Sequence, residues 1–376
     1  MRLGKVKINH YINYIVIGLM TLVLGIMSVF GVSFDNSLLF LLEKAAISII
    51  LAVSLSLVVG FLGELSLGHA GFMCVGAYIG GKVSALLVPV LGNGPVAFLI
   101  ALVVGCAAAA ICGVIVGIPA LRLRGDYLAI VTLAFGEIVK SLFQNTSDKS
   151  FGGTLGLDTP RYDKTYLFII AFVLVLITLA IVQNYIRSKH GRAVTSIRDN
   201  EIAARASGIN VTKYKLLTFI LSATLAGLAG VLYSYSNYKV QSLKFGYNYS
   251  IEILVMVVLG GMGNINGSII AAVLITWLNT WLPTKLTGDL AVLQNLLYAL
   301  VLIVIVIYNN APKLKAFRDT YNLGALINRF RKHDPANIKD DKAKWDVVPT
   351  KISMDEVLSV DFTPQNLGPD KKGGDK

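Results

Sequence analysis

Charge is what this sequence has least of. Asp, Glu, Lys and Arg make up 15% of its 376 residues, where a soluble domain carries about 25%. With 55% hydrophobic residues and a mean hydropathy of +0.67, a chain of this size has too little polar sequence to cover its apolar surface. That excludes a water-soluble globular fold and points to a membrane protein. Cysteine is nearly missing too. Cys74, Cys106 and Cys112 are odd in number, sit inside apolar runs, and have a spacing that suits neither zinc nor a disulfide framework. They read as small packing residues. His10, His69, His190 and His333 are scattered, and none has a partner at metal-ligand spacing. With no nucleophile–base signature either, the chain reads as a non-enzyme that needs no cofactor and no metal.

What is abundant is long apolar sequence. A helix needs about 20 mostly apolar residues to cross a hydrocarbon core. Ten segments qualify as spans: roughly 11–30, 38–60, 70–88, 96–118, 127–144, 166–186, 215–236, 250–262, 266–282 and 290–308. The fold class expected is therefore an all-α polytopic bundle of about ten transmembrane helices. The eighth and ninth spans are short and separated by "GGMGNING", so they form either full spans or a broken, re-entrant pair. The first apolar run is too long for a cleaved signal and lacks a small-residue cleavage site, so it reads as an uncleaved span.

The net charge of +12 would suggest nucleic acid in a soluble protein. Here most basic residues flank apolar runs, so they report topology, and no nucleic-acid partner is expected. With the N-terminus inside and the spans alternating, the inner loops of the body hold Arg2, Lys5, Lys7, Arg122, Arg124, Arg187, Lys189, Arg192, Arg198, Arg205, Lys213 and Lys215. The outer loops hold Lys149, Arg161, Lys164, Lys239, Lys244 and Lys285. Twelve against six places both termini in the cytoplasm. The domain reading is a membrane body over 1–310, with a polar loop at 187–213, and a cytoplasmic tail over 311–376. The tail holds 13 Lys/Arg and 10 Asp/Glu and is expected to be largely disordered.

Small residues recur every fourth position at Gly105, Ala109, Gly113 and Gly117, and again at Ser222, Ala226, Gly230 and Ser234. Such stripes let helix backbones approach closely in lipid. "GAYIGGKV" matches the first part of a phosphate-binding loop, but Val83 follows where Ser or Thr is needed and no strand precedes it. Gly76 and Gly80 read instead as a helix-packing pair. Two glycine-rich breaks, "GFLGELSLGHAGF" and "LGGMGNINGS", are either tight turns or irregular backbone lining a path. Ionisable residues lie inside apolar runs, and four of them are candidates for a role. Glu43 and Lys44 are close enough to the outer end of their span to reach the headgroups. Glu137 either lines a path or bonds to a neighbouring helix. Glu252 is the fourth.

The most polar interval of the body is "GRAVTSIRDNEIAARASGIN". Asp199 and Asn200 are good N-caps, Glu201 puts negative charge at a helix start, and Gly208 fits the position just past its end. The helix between them has about two turns and would be marginal alone. A helix lying on lipid usually carries larger apolar residues than Ala203 and Ala204. Close contact with a partner protein suits these better.

These stretches carry a resemblance. Ile202-Ala203-Ala204 followed by Gly208 has the spacing of the coupling-loop motif of ABC importer permeases, with Ile in place of the usual Glu and Glu201 just before it. With "GELSLGHAGFMCVGAYIGG", "LRLRGDYLAIVTLAFGEIVK", "FGGTLGL" and "VMVVLGGMGNINGSIIAA" in the same order, the chain resembles the LivM-type permease of branched-chain amino acid ABC transporters over roughly 38–308. The resemblance implies a multi-pass subunit of the cell membrane. Its partners would be a second, LivH-like permease, two cytoplasmic ATPases and an extracellular amino-acid-binding protein. It implies ATPase coupling through Arg198, Asp199, Asn200, Glu201, Ile202, Ala203, Ala204, Arg205 and Gly208. Candidate path residues are Glu64, Ser66, His69, Thr132, Glu137, Gly260, Gly261 and Gly263. A urea or short-amide permease is the nearest alternative, and a gradient-driven secondary transporter the rival from another class.

Overall fold

The computed structural model describes residues 35–285 apart from Asn93, Arg124 and 161–163, together with the isolated positions 17, 18, 300 and 303. The expected spans at 11–30 and 290–308 and the tail at 311–376 lie outside the described residues. The chain groups into two compact units, Met1–Ile307 and Tyr308–Lys376, and every described residue belongs to the first.

The described elements are almost entirely helical. α1 (Asn36–Ser56) runs on into one π-helical turn, Leu57–Leu62, which ends at Gly63 with φ +79°. α2 (His69–Leu91), α3 (Pro95–Ala120) and α4 (Asp126–Gln144) come next. α5 (Asp148–Phe151) is a single turn. α6 (Lys164–Arg187) precedes two short helices, α7 (Lys189–Asp199) and α8 (Glu201–Ala206). α9 (Val211–Ser236), α10 (Tyr247–Gly260) and α11 (Ile265–Lys285) complete the set. The exception to an all-α fold is a two-residue antiparallel ladder, β1 (Leu157–Asp158) with β2 (Lys239–Val240). Six helices are long and apolar enough to cross a membrane, those within 36–62, 69–90, 95–120, 166–187, 211–236 and 265–282. The segments predicted at 127–144 and 250–262 also form helices, α4 and α10, outside that six. α10 has 14 residues, about 21 Å of helix, too short for a core of about 30 Å.

α1 lies inside the bundle and α3 at its rim. Within their apolar windows 94% of α1 is buried by protein, against 28% of α3. The remainder of α3, including Val103, Ile111 and Ile115, faces outward, as lipid contact requires. α9 is the hub, packing on α2, α3 and α1. The small-residue stripes explain how. A Cβ on Gly76 would stand 2.3 Å from the Gly227 carbonyl oxygen, and one on Gly230 would stand 2.1 Å from that of Met73. The α2 and α9 backbones are therefore in direct contact, which no larger side chain would permit. Gly105 of α3 packs on Val231, and Gly113 on Ala223. Gly76 and Gly80 are thus a packing pair, as read from the sequence. Dispersion contacts at this spacing take the place of the water-exclusion force that is missing in lipid.

At the end of the bundle away from α7 and α8, the ladder is tied down by side chains. Tyr78 stacks on Phe143 with centroids 4.2 Å apart and donates to Val240 O at 3.1 Å. Thr159 Oγ1 lies within bonding distance of Ser234 O and Asn237 O.

Candidate functional site

The interval 187–213 folds as a chain of capped turns. Ser188 Oγ accepts from the backbone N–H groups of His190 and Gly191 and opens α7. Asn200 Oδ1 accepts from Ile202 N and Ala203 N, both at 3.0 Å, and opens α8. Asn210 Oδ1 accepts from Lys213 N at 3.1 Å and opens α9. Of the two residues read as caps, Asn200 serves. Asp199 instead accepts from the Arg198 guanidinium at 3.0 and 3.1 Å. Gly208 takes φ +80°, the left-handed turn that ends α8 and that a side chain would strain.

α8 is a peg about 9 Å long. One residue roots it: Ala204 is buried among Leu62, Val194, Ile197 and Val211. The other face is open. Ile202 is 80% exposed, and Ala203, Arg205 and Ala206 are exposed beside it. A fully presented isoleucine on a charged, capped helix is an unfilled contact. Covering it would contribute roughly 1.5–3 kcal/mol.

Two polar connections join this peg to the bundle. Lys215, buried at the start of α9, donates to Glu64 Oε1 at 2.5 Å and to Glu201 Oε2 at 3.2 Å. Glu201 also accepts from Arg205 at 2.9 Å, one helical turn on. One lysine thus ties the loop after the π turn to the first residue of α8. The second connection is Arg198, whose Nη1 donates to Gly60 O at 3.1 Å. Gly60 itself packs on the α10–α11 turn, where its Cβ would stand 2.5 Å from Gly263 N. Gly63 leaves room for the Arg198 chain: a Cβ there would stand 2.7 Å from Cγ. Both glycine-rich breaks therefore converge on Arg198. Sequence reasoning placed Lys215 only as an inner-loop cation, and Arg198 as an inner-loop cation and a coupling residue, with no partner assigned to either. The available signal was a lysine just inside an apolar run, which in lipid demands a carboxylate partner, and Glu64 is in "GELSLG".

The candidate path residues fall into four places. Glu64 joins the cluster around Lys215. Gly260, Gly261 and Gly263 belong to the α10–α11 turn, where Gly261 and Gly263 have φ of +89° and +81°, and Gly260 lies against Gly267 and Ser268. Ser66, His69 and Thr132 form a buried layer next to them. Thr132 Oγ1 accepts from Leu67 N at 3.0 Å, and Ser250 Oγ accepts from Ala70 N at 3.2 Å. His69 Nε2 lies 2.7 Å from Ser54 Oγ, whose hydroxyl donates to Leu51 O. The irregular stretch 63–68 is thus tied to α4 through Leu67, and the first residues of α2 that follow it are tied to α1 and α10. Glu137 stands apart. It accepts from Lys140 at 2.7 Å and from Tyr247 N at 2.8 Å, putting a carboxylate on the first N–H of α10.

One expectation is corrected. Glu43 does not reach headgroups: it is fully buried and accepts from the Ser236 hydroxyl on α9. Lys44 turns inward beside Phe40, its Nζ 4.5 Å from the ring centroid. Glu43 points into protein because α1 is buried almost throughout from Glu43 onward, which its apolar composition alone did not reveal. No group of three or more His, Cys, Asp or Glu suited to a metal occurs among the described residues.

Residues 37–306 match the family described as "Branched-chain amino acid transport system / permease component". The chain is 37% identical over 260 residues to the high-affinity branched-chain amino acid transport system permease protein LivM of Salmonella typhimurium, covering 61% of this chain and 60% of that protein. It thus spans about 60% of that relative's length. It is 29% identical over 299 residues to the ribose import permease protein RbsC of Escherichia coli K12, covering 73% of this chain and 86% of that one. Over 142 residues it is 29% identical to a probable branched-chain amino acid transport permease protein LivH of Methanocaldococcus jannaschii, covering 38% of this chain and 44% of that one. No solved structure matches it.

Proposed function

Because this chain belongs to the family of branched-chain amino acid transport permease components, we propose that it is one transmembrane half of an ATP-driven importer for leucine, isoleucine and valine. The second half is a LivH-like permease. Two ATPases sit on the cytoplasmic side, and a binding protein delivers substrate outside the cell membrane. The observation that carries the reading is the α8 peg: capped at Asn200, closed by Gly208, rooted at Ala204 and presenting Ile202 to a partner. The chain has about ten spans with both termini in the cytoplasm, the arrangement favoured by its basic residues.

The same geometry supplies the mechanism. A motor that grips Ile202 and Ala203 moves α8 and α7 together, because the turn at Asn200 is capped and Ala204 is packed. Arg198 passes the displacement to Gly60, hence to α1, and through Gly263 to α10 and α11. Lys215 passes it to α9 and to the 63–68 loop. Of those helices, α1 and α10 contact the first residues of α2, beside the buried Ser66, His69 and Thr132. Opening and closing the path becomes a small rigid shift at one end of four helices.

Ile202→Arg tests the role of the peg. Its side chain touches little of its own subunit, so the variant should accumulate in the membrane as wild type does. ATP-driven leucine uptake and co-purification with the ATPases should both fall by an order of magnitude or more, since roughly 1.5–3 kcal/mol of contact is replaced by a buried charge. Wild-type uptake in vesicles carrying Ile202→Arg rejects the reading. Glu201 and Gly208 are less clean targets, because one is tied to Lys215 and the other holds a left-handed turn.

A further inference from the structure

At the end of the bundle opposite α7 and α8 lies a cavity of about 400 Å³, within the range of small-molecule sites, about 300–1,000 Å³. α1 contributes Phe40 and Lys44, α10 contributes Tyr249 and Glu252, and α11 contributes Thr276 and Asn279. Lys244 and Phe245, from the turn before α10, complete the wall. A membrane protein rarely places two cations and a carboxylate around one hollow without a use for them, since each is costly to bury. Their surroundings hold them in place. Asn279 donates to Glu252 Oε1, and Lys44 is seated over the Phe40 ring.

A second observation is independent of the charges. Thr276 is 5% exposed, lines the same cavity, and its hydroxyl has no hydrogen-bond partner among the described residues. A buried hydroxyl left unpaired is unfavourable, and a ligand that bonds to it removes the deficit.

We propose that this cavity binds the zwitterionic head of a free amino acid. Glu252 takes the ammonium, Lys44 and Lys244 take the carboxylate, and Thr276 supplies a hydrogen bond. The rings of Phe40, Phe245 and Tyr249 receive an aliphatic side chain. Opposite charges around one cavity suit a zwitterion. A sugar needs neither charge, and a simple anion has no use for Glu252. The inference rests on reading the chain as an amino-acid importer, and it adds a holding site built by the permease itself. Its position matters: α1 and α10 line the cavity at one end, while Gly60 and Gly263 at their other ends adjoin Arg198. Movement of the peg therefore reaches the walls of the site.

The test is equilibrium binding to the full-length chain in lipid nanodiscs, with three probes of equal side chain: L-leucine, leucinamide, which lacks the carboxylate, and 4-methylvalerate, which lacks the ammonium. Leucine should bind roughly tenfold or more tighter than either, the effect of one charged hydrogen bond lost. Lys44→Met should erase the preference over leucinamide, and Glu252→Gln the preference over 4-methylvalerate. Thr276→Val should weaken leucine several-fold and leave both preferences intact. A variant that fails to fold loses all three probes together, so the pattern separates the two causes. Absence of saturable leucine binding, equal binding of the three probes, or unchanged preferences in Lys44→Met and Glu252→Gln overturns the proposal. Uptake by the assembled transporter separates the two levels. Wild-type leucine uptake in Lys44→Met and Glu252→Gln removes the cavity from the path and leaves the importer reading standing. Absence of leucine uptake by the wild-type assembly defeats that reading itself.

Discussion

At Gly60 and Gly263 two backbones approach so closely that a single methyl would stand 2.5 Å from a peptide nitrogen. About 24 Å away along the same helix, Lys44 borders a cavity of about 400 Å³ where the Thr276 hydroxyl lacks a partner among the described residues. The two ends of α1 and α10 are thus built on opposite rules. One end has backbones in direct contact, capped turns and bonded charges. The other keeps volume and unpaired polarity in reserve. A lever needs stiffness where force enters, and a binding site needs hydrogen-bonding capacity that its own fold does not use up. The cost of the second is stability, and that contrast can be measured.

The largest effect should come from Lys215→Met. It removes the buried cation between Glu64 and Glu201 and leaves two carboxylates facing each other, at a cost of about 3 kcal/mol. Thermal unfolding in nanodiscs should show it, and adding Glu64→Gln should restore part of the loss. Next is Gly60→Ala, where the added methyl meets backbone that cannot yield. Overpacking of this kind costs about 1–3 kcal/mol, and leucine uptake should fall with it. Asn200→Ala removes the α8 cap and should cost about 1 kcal/mol. It should weaken ATPase co-purification more than it lowers the melting temperature. The smallest effect has the opposite sign. Thr276→Val should leave the melting temperature unchanged or raise it by the equivalent of up to about 1 kcal/mol, since removing an unpaired hydroxyl is neutral or stabilising. A melting temperature lowered as much by Thr276→Val as by Gly60→Ala would erase the distinction between the two ends.

Much of this architecture was legible in the residues. The apolar runs predicted helices wherever the structure describes them. Gly76, Gly105 and Gly230 announced close packing. Asn200 and Gly208 bounded a two-turn helix by residue type and spacing. These are local signals, governed by backbone propensity and by what lipid demands of a helix. Glu43 shows where such reading stops. From its place in α1 it was within reach of headgroups, yet it is buried against Ser236, nearly two hundred residues further along. Glu137 was open between path and helix contact, and its bond to Tyr247 N depends on how α4 meets α10.

The sequence alone determined the solvent, the helices and the peg, because hydropathy, caps and glycines act over a few residues. Only the tertiary structure decided that Arg198 reaches Gly60, that Lys215 bridges Glu64 and Glu201, and that Lys44, Glu252 and Thr276 share one cavity. Each of these brings together side chains from helices far apart in the chain. Which faces of those helices meet is set by packing summed over the whole bundle, and no short stretch of sequence contains that sum.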